Sequence, residues 1–284
     1  MKRIIKISML VLLISGTLMG LSFVNSKPVK TNCLGISISV KRPDGNEYIL
    51  EEEIKNAVLM YCNDETDSSE SDEINISKIE EAIRSNPAVA SCEVYRTVKG
   101  SLHAEVLQRR PIGRIINAMG ESFYLDEKGW MMPSIAGRPA RVLVVTGEIF
   151  ESYSPSPYFL ENDSAAVISV LDEIYSILKF TDQQPFWKAQ LEQIVVNKDK
   201  SFILIPKVGN HEIHFGKIDN MKGKFKKLEI FYQRGMTAEG WKGYKVVDVQ
   251  YKNQIICRGA TVLHAVQIKN ETTESNTLTN QNTH

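Results

Sequence analysis

The sequence predicts an α+β chain: an N-terminal transmembrane helix, a small strand-helix-helix-strand-strand domain, then a mixed β-sheet domain with packed helices. Three observations carry this. Residues 7–26 run without a charge behind the basic start MKRIIK. Residues 33–109 switch between period-2 alternation and helical spacing in that element order. Past Arg110, short alternating or apolar runs separated by Gly and Asp turns are interrupted by two amphipathic stretches.

The first segment sets the compartment. About 20 uncharged residues at 1.5 Å each can cross a hydrocarbon core of about 30 Å. Lys2, Arg3 and Lys6 keep residues 1–6 in the cytoplasm and send the bulk of the chain outward. The run is longer than the usual signal core, which favours an uncleaved anchor over a signal peptide cut near Val24-Asn25-Ser26. Gly16 and Gly20 form a GxxxG that would let a second helix approach closely.

In the first domain, Gly35–Val40 (GISISV) reads as a half-buried strand and RPDGN at 42–46 as a turn. Leu50, Ile54, Ala57, Val58 and Met60 recur at helical spacing. An acidic loop with six carboxylates spans 63–73. Ser77-Lys78-Ile79-Glu80 fits a capping box that opens a second helix, and Pro87 closes it. Val89–Thr97 and Ser101–Gln108 flank a Lys99-Gly100 turn as a hairpin.

In the second domain, Gly113–Asn117, Ser122–Asp126, Trp130–Pro133 and Arg141–Thr146 read as strands. Val167, Val170, Leu171, Ile174, Ile177 and Leu178 trace an amphipathic helix. Strands are expected over 194–196, 202–205 and 212–215. Met221, Phe225, Leu228 and Phe231 or Tyr232 line a further helix ended by Gly235. The lysines of KGKFKK at 222–227 are expected mainly on its solvated face. Asp248–Ile256 is expected to be the last regular segment, inside a domain spanning 110–265, with a disordered tail over 266–284.

No nucleophile elbow, Walker loop, GxGxxG or SxxK occurs. His211-Glu212-Ile213-His214 lacks one residue of the HExxH spacing and reads as part of a hairpin. The 34 basic and 34 acidic residues balance, so the basic excess that nucleic-acid binding leaves is missing. Cys33, Cys62, Cys92 and Cys257 lack the spacing of a zinc site. They read either as one or two disulfides outside the cytoplasm, with no pairing singled out, or as buried thiols. Catalytic residues, cofactors, metals and small-molecule substrates are not expected.

The element order of the first domain resembles a POTRA domain, an α+β module of exported bacterial proteins. Ser85-Asn86-Pro87-Ala88-Val89, the hairpin and the exit Gln108-Arg109-Arg110-Pro111-Ile112 are similar to that module in the FtsQ/DivIB family of cell-division proteins. Phe123-Tyr124-Leu125-Asp126, Gly129 and Met132-Pro133 ahead of Val142-Leu143-Val144-Val145-Thr146-Gly147 resemble the first part of that family's β-domain. Trp241, Tyr244 and Lys245-Val246-Val247-Asp248-Val249-Gln250-Tyr251 resemble its terminal strands, where Lys252 and Cys257 depart from the pattern. The resemblance implies a non-enzymatic divisome scaffold, anchored by one span at the division septum, that binds FtsL/FtsB-like proteins. It implies a partner contact at Tyr244, Tyr251, Asn253, Gln254, Ile255 and Ile256 on an exposed edge strand. Ile255→Glu is then expected to abolish capture without unfolding. The alternative readings are a POTRA-containing outer-membrane assembly or secretion factor, and a secreted protein with a cleaved signal.

Overall fold

A computed structural model describes residues 35–62, 75–98, 100–135, 137–155, 169–235, 243–252, 254–259 and 263–267. The expected span at 7–26, the acidic loop at 63–73 and Cys33 lie outside them. No helix of the described residues is long and apolar enough to cross a membrane. Contacts divide the chain into two units, residues 1–40, 51–84 and 92–106 against 41–50, 85–91 and 107–284.

The first unit is built on β1 (Ile36–Lys41), α1 (Glu51–Cys62), α2 (Ile76–Arg84), β2 (Val89–Arg96) and β3 (Leu102–Gln108). The strands form one sheet in the order β1-β3-β2. Along β3 the period of two is visible in burial: Leu102, Ala104 and Val106 are buried, His103 and Glu105 half-buried. Ile54 and Val58 of α1, and Ile79 and Ile83 of α2, are buried at i, i+4 spacing. The expected capping box at Ser77 does not form. The helix starts one residue earlier, at Ile76, and the Asn75 side chain accepts from Lys78 N at 3.1 Å. Glu80 instead accepts from Val94 N at 2.9 Å and pairs with Arg84 at 2.8 Å.

The second unit is a ten-stranded sheet: β4 (Pro111–Ile116), β5 (Ser122–Asp126), β6 (Met131–Pro133), β7 (Leu143–Gly147), β8 (Leu191–Val196), β9 (Phe202–Pro206), β10 (Glu212–Gly216), β11 (Tyr244–Asp248), β12 (Gln254–Gly259) and β13 (Leu263–Gln267). Its spatial order is β13-β12-β11-β10-β9-β8-β7-β4-β5-β6. Three helices accompany it: α3 (Val170–Gln183), α4 (Pro185–Gln190) and α5 (Met221–Ile230), the last passing into a wide π-type turn over Phe231–Gly235. β4 pairs parallel with β7, β7 with β8 and β10 with β11. Parallel neighbours require a crossover; β5 and β6 lie in the first, α3 in the second and α5 in the third.

One apolar cluster holds the unit together. It joins Ile174, Leu178, Trp187, Phe225 and Leu228 of the helices to Ile115, Phe123, Val145, Ile194, Leu204, Phe215, Val247 and Ile255 of the strands. Trp187, Phe180, Phe215 and Phe225 meet with ring centroids 4.6–5.2 Å apart. At Gly113 of β4 a Cβ would overlap the Leu178 side chain, so glycine is what lets α3 lie this close to the sheet. A capping box opens α3: Ser169 accepts from Leu171 N, and Asp172 accepts from Ser169 N at 2.8 Å. Sequence reading missed both this box and α4.

The residues that open this unit form a polar cluster. Gln108 Oε1 accepts from Tyr48 N and Ile49 N at 2.7 and 3.1 Å, and its amide donates to Asn46 O at 2.9 Å. Arg109, 8% exposed, donates to Pro87 O at 3.0 Å and to Asp126 at 2.9 Å. Its guanidinium lies 4.2 Å over the Trp130 ring. Asp126 also accepts from Lys128 N and Trp130 N, both at 2.8 Å. Arg110 grips Asp182 at the end of α3 with two hydrogen bonds of 2.9 and 2.7 Å and reaches Glu127. Burial pushes the Asp182 carboxyl up, but the bonds from Arg110 and Lys188 outweigh it and hold the group below the usual range. These bonds lie within the second unit, to which residues 41–50 and 85–91 belong.

Candidate functional site

The candidate surface is the β11–β12–β13 end of the large sheet. Here the expectation of one terminal segment over 248–256 fails. The chain leaves β11 at Asp248, turns from 249 to 252 and returns as β12, antiparallel with Ile256 opposite Asp248. A further strand follows, with Ile255 opposite Val266 and Ile256 opposite Ala265. β13 reaches into the stretch expected to be disordered, and the rest of that tail lies outside the described residues. β12 is therefore paired on both sides, and the outermost strand is β13.

Strand parity sorts the expected contact residues. Ile255 and Cys257 point into the core, each 0% exposed, while Gln254 and Ile256 are half-buried and Arg258 exposed on the other face. Tyr244 is buried, its ring 5.6 Å from that of Phe231. Tyr251 is 45% exposed, at the tip of the β11–β12 turn. Asn253 lies outside the described residues. The expectation that Ile255→Glu spares the fold is corrected: a carboxylate there would enter the apolar cluster.

The turn itself is held from several directions. Asp248, 4% exposed, accepts from Gln250 N at 3.0 Å. Val249 N donates to His214 O of β10 at 3.1 Å. Gly216, in the left-handed region at φ 71°, leaves room for the Gln250 side chain, with which a Cβ would collide. From α5, Lys227 Nζ donates to Val249 O at 2.9 Å and to Tyr251 O. One turn earlier, Lys224 Nζ donates to Lys217 O at 2.7 Å and pairs with Asp219 at 3.0 Å. Lys224 and Lys227 are 4% and 8% exposed, so only two of the four KGKFKK lysines, Lys222 and Lys226, lie on the solvated face where most were expected. Hydropathy gives no warning of this, because a lysine whose ammonium meets carbonyls at the end of its stem buries its methylenes. Burial lowers the Lys227 ammonium's pKa, the Lys224 charge adds to this, and the Asp248 carboxylate opposes it.

Other candidate groups are structural. His211, 2% exposed, shares a 2.8 Å hydrogen bond with the Tyr232 hydroxyl, and burial lowers its pKa to about 4. His214 sits half-buried on β10. Cys92 and Cys257 are free buried thiols, pushed up by burial to about 11 and about 12, which leaves them unreactive near neutrality. Among the described residues no group of three or more His, Cys, Asp or Glu side chains gathers to hold a metal ion. What this end of the sheet offers is main-chain and side-chain recognition: an outer strand, a polar and apolar face on β12, and a braced aromatic tip.

Comparison with known families gives two matches. Residues 31–107 match the model of the POTRA-like domain. Residues 110–258, more than half of the chain, match the model described as FtsQ/DivIB, C-terminal related. No curated protein matches the chain.

Proposed function

The chain belongs to the FtsQ/DivIB family, with its POTRA-like and C-terminal related domains in tandem, and from that premise we propose that it is a membrane-anchored divisome scaffold. It binds FtsL/FtsB-like division proteins and helps assemble and regulate the septal cell-wall machinery without chemistry of its own. Residues 7–26 anchor it in the cytoplasmic membrane with the N-terminus inside, so scaffold and partners share one surface. That confinement raises effective concentration, and linked sites gain about 10²–10⁴ in avidity without new contacts.

The observation that carries the reading is the end of the sheet. No described strand pairs with the outer side of β13, and a row of unpaired N–H and C=O groups accepts a partner strand by main-chain bonding. Tyr251, Asn253, Gln254 and Ile256 supply the side-chain contact from the adjoining turn and outer face. Tyr244 and Ile255 act from beneath, as packing that fixes β11 and β12. The test is depletion combined with imaging of a fluorescent fusion. Midcell accumulation and filamentous cells support the reading. Uniform envelope signal with normal cell length and outer-membrane defects would replace it with an assembly or secretion role.

A further inference from the structure

We infer that Lys227, with Lys224 beside it, is a positioning residue for the partner contact: it presets the β11–β12 turn and so presents Tyr251 in its bound geometry. The inference rests on the scaffold reading above and adds how the contact is made ready.

The geometry follows from topology. β10 and β11 are parallel, so the loops that leave them, over 217–220 and 249–252, emerge at the same end of the sheet. α5 is the crossover between these two strands. It sends one lysine to each loop: Lys224 to Lys217 O and Asp219, Lys227 to Val249 O and Tyr251 O. Residues three apart share a helix face, so a single face of α5 braces both loops. Lys227 Nζ donates to two main-chain carbonyls of the turn, and the Asp248 carboxylate acts on its charge through space. Burying an ammonium is costly and is tolerated where it is well hydrogen-bonded. Here the bonds close a turn whose tip carries an exposed aromatic ring. An aromatic held rigid before binding loses little freedom on binding.

The test uses the full-length chain in detergent and, as probe, the purified extracytoplasmic part of an FtsL/FtsB-like heterodimer. Lys227→Met is expected to weaken the probe's Kd by about tenfold, the scale of ordering a few side chains on association, while the melting profile stays cooperative. Lys227→Arg, which keeps a charged donor, restores most of the affinity. Tyr251→Ala weakens binding, and Lys227→Met added to Tyr251→Ala weakens it no further, because the lysine acts through that ring. Should Lys227→Met not fold, Lys227→Gln, which loses the charge and ends one bond short of the ammonium, is read in the same way. Full-strength binding by Tyr251→Ala would overturn the terminal contact and this inference with it. Loss of binding by Tyr251→Ala with full binding by Lys227→Met would overturn the positioning role alone. So would additive losses in the double variant.

Discussion

Ile255 and Ile256 are neighbours in sequence and opposites in environment, and glutamate at each position should separate the core from the contact face. Ile255 is 0% exposed within the apolar cluster. Removing its burial costs about 2 kcal/mol, and placing a carboxylate there adds several kcal/mol per buried ion. A total of about 5 kcal/mol or more rivals the roughly 5–15 kcal/mol that holds a folded domain together. Ile256 is half-buried on the other face, where glutamate should cost about 1 kcal/mol. At about 2–4 °C per kcal/mol for a domain of this size, Ile255→Glu should lower Tm by at least about 10 °C or leave the unit unfolded. Ile256→Glu should shift it by a few degrees and impair partner capture. Circular dichroism melts of both variants give the answer. A wild-type melt for Ile255→Glu, or equal collapse of both, would refute the assignment of faces along β12.

Other perturbations test the rest of the second unit. Arg109→Ala leaves Asp126 buried beside two amides and should cost about 3–5 kcal/mol, as breaking one side of a buried ion pair does; urea unfolding measures it. Gly113→Ala drives a methyl into Leu178 and should cost about 1–3 kcal/mol by overpacking; Leu178→Ala in the same chain should recover part of it. His211 is held neutral by burial, with a pKa of about 4 against 6.5 for the free side chain. Its contribution is complete above pH 6.5 and is lost as pH falls toward 4, at most about 3 kcal/mol at 1.36 kcal/mol per pH unit. Tm measured across that window should fall on acidification, and His211→Gln should flatten the slope.

What the sequence made legible was periodicity. β3 showed its alternation outright, and the apolar residues of α1, α3 and α5 fell at their helical spacings. What it hid was pairing across long separations. A strand's hydropathy is the same whether or not another strand covers its edge, so the burial of β12 between β11 and β13 was invisible. The break after Asp248 was hidden because Val249 and Tyr251 suit a strand, and the turn is imposed by Lys227, His214 and Gly216 from elsewhere. α4 was too short to show a period. Ser77 carried the right residues for a capping box, yet Asn75 lay earlier and took the cap. The two buried lysines followed the helical spacing and were misplaced by their charge alone.

Hydrogen exchange across the sheet, with and without the FtsL/FtsB-like heterodimer, tests the central claim most directly. The account predicts that main-chain amides of the β11–β12 turn and of 263–267 gain protection on addition of the partner, while β6 at the opposite edge is unchanged. Protection confined to β6 or to the first unit, with the terminal strands exchanging as before, would contradict it.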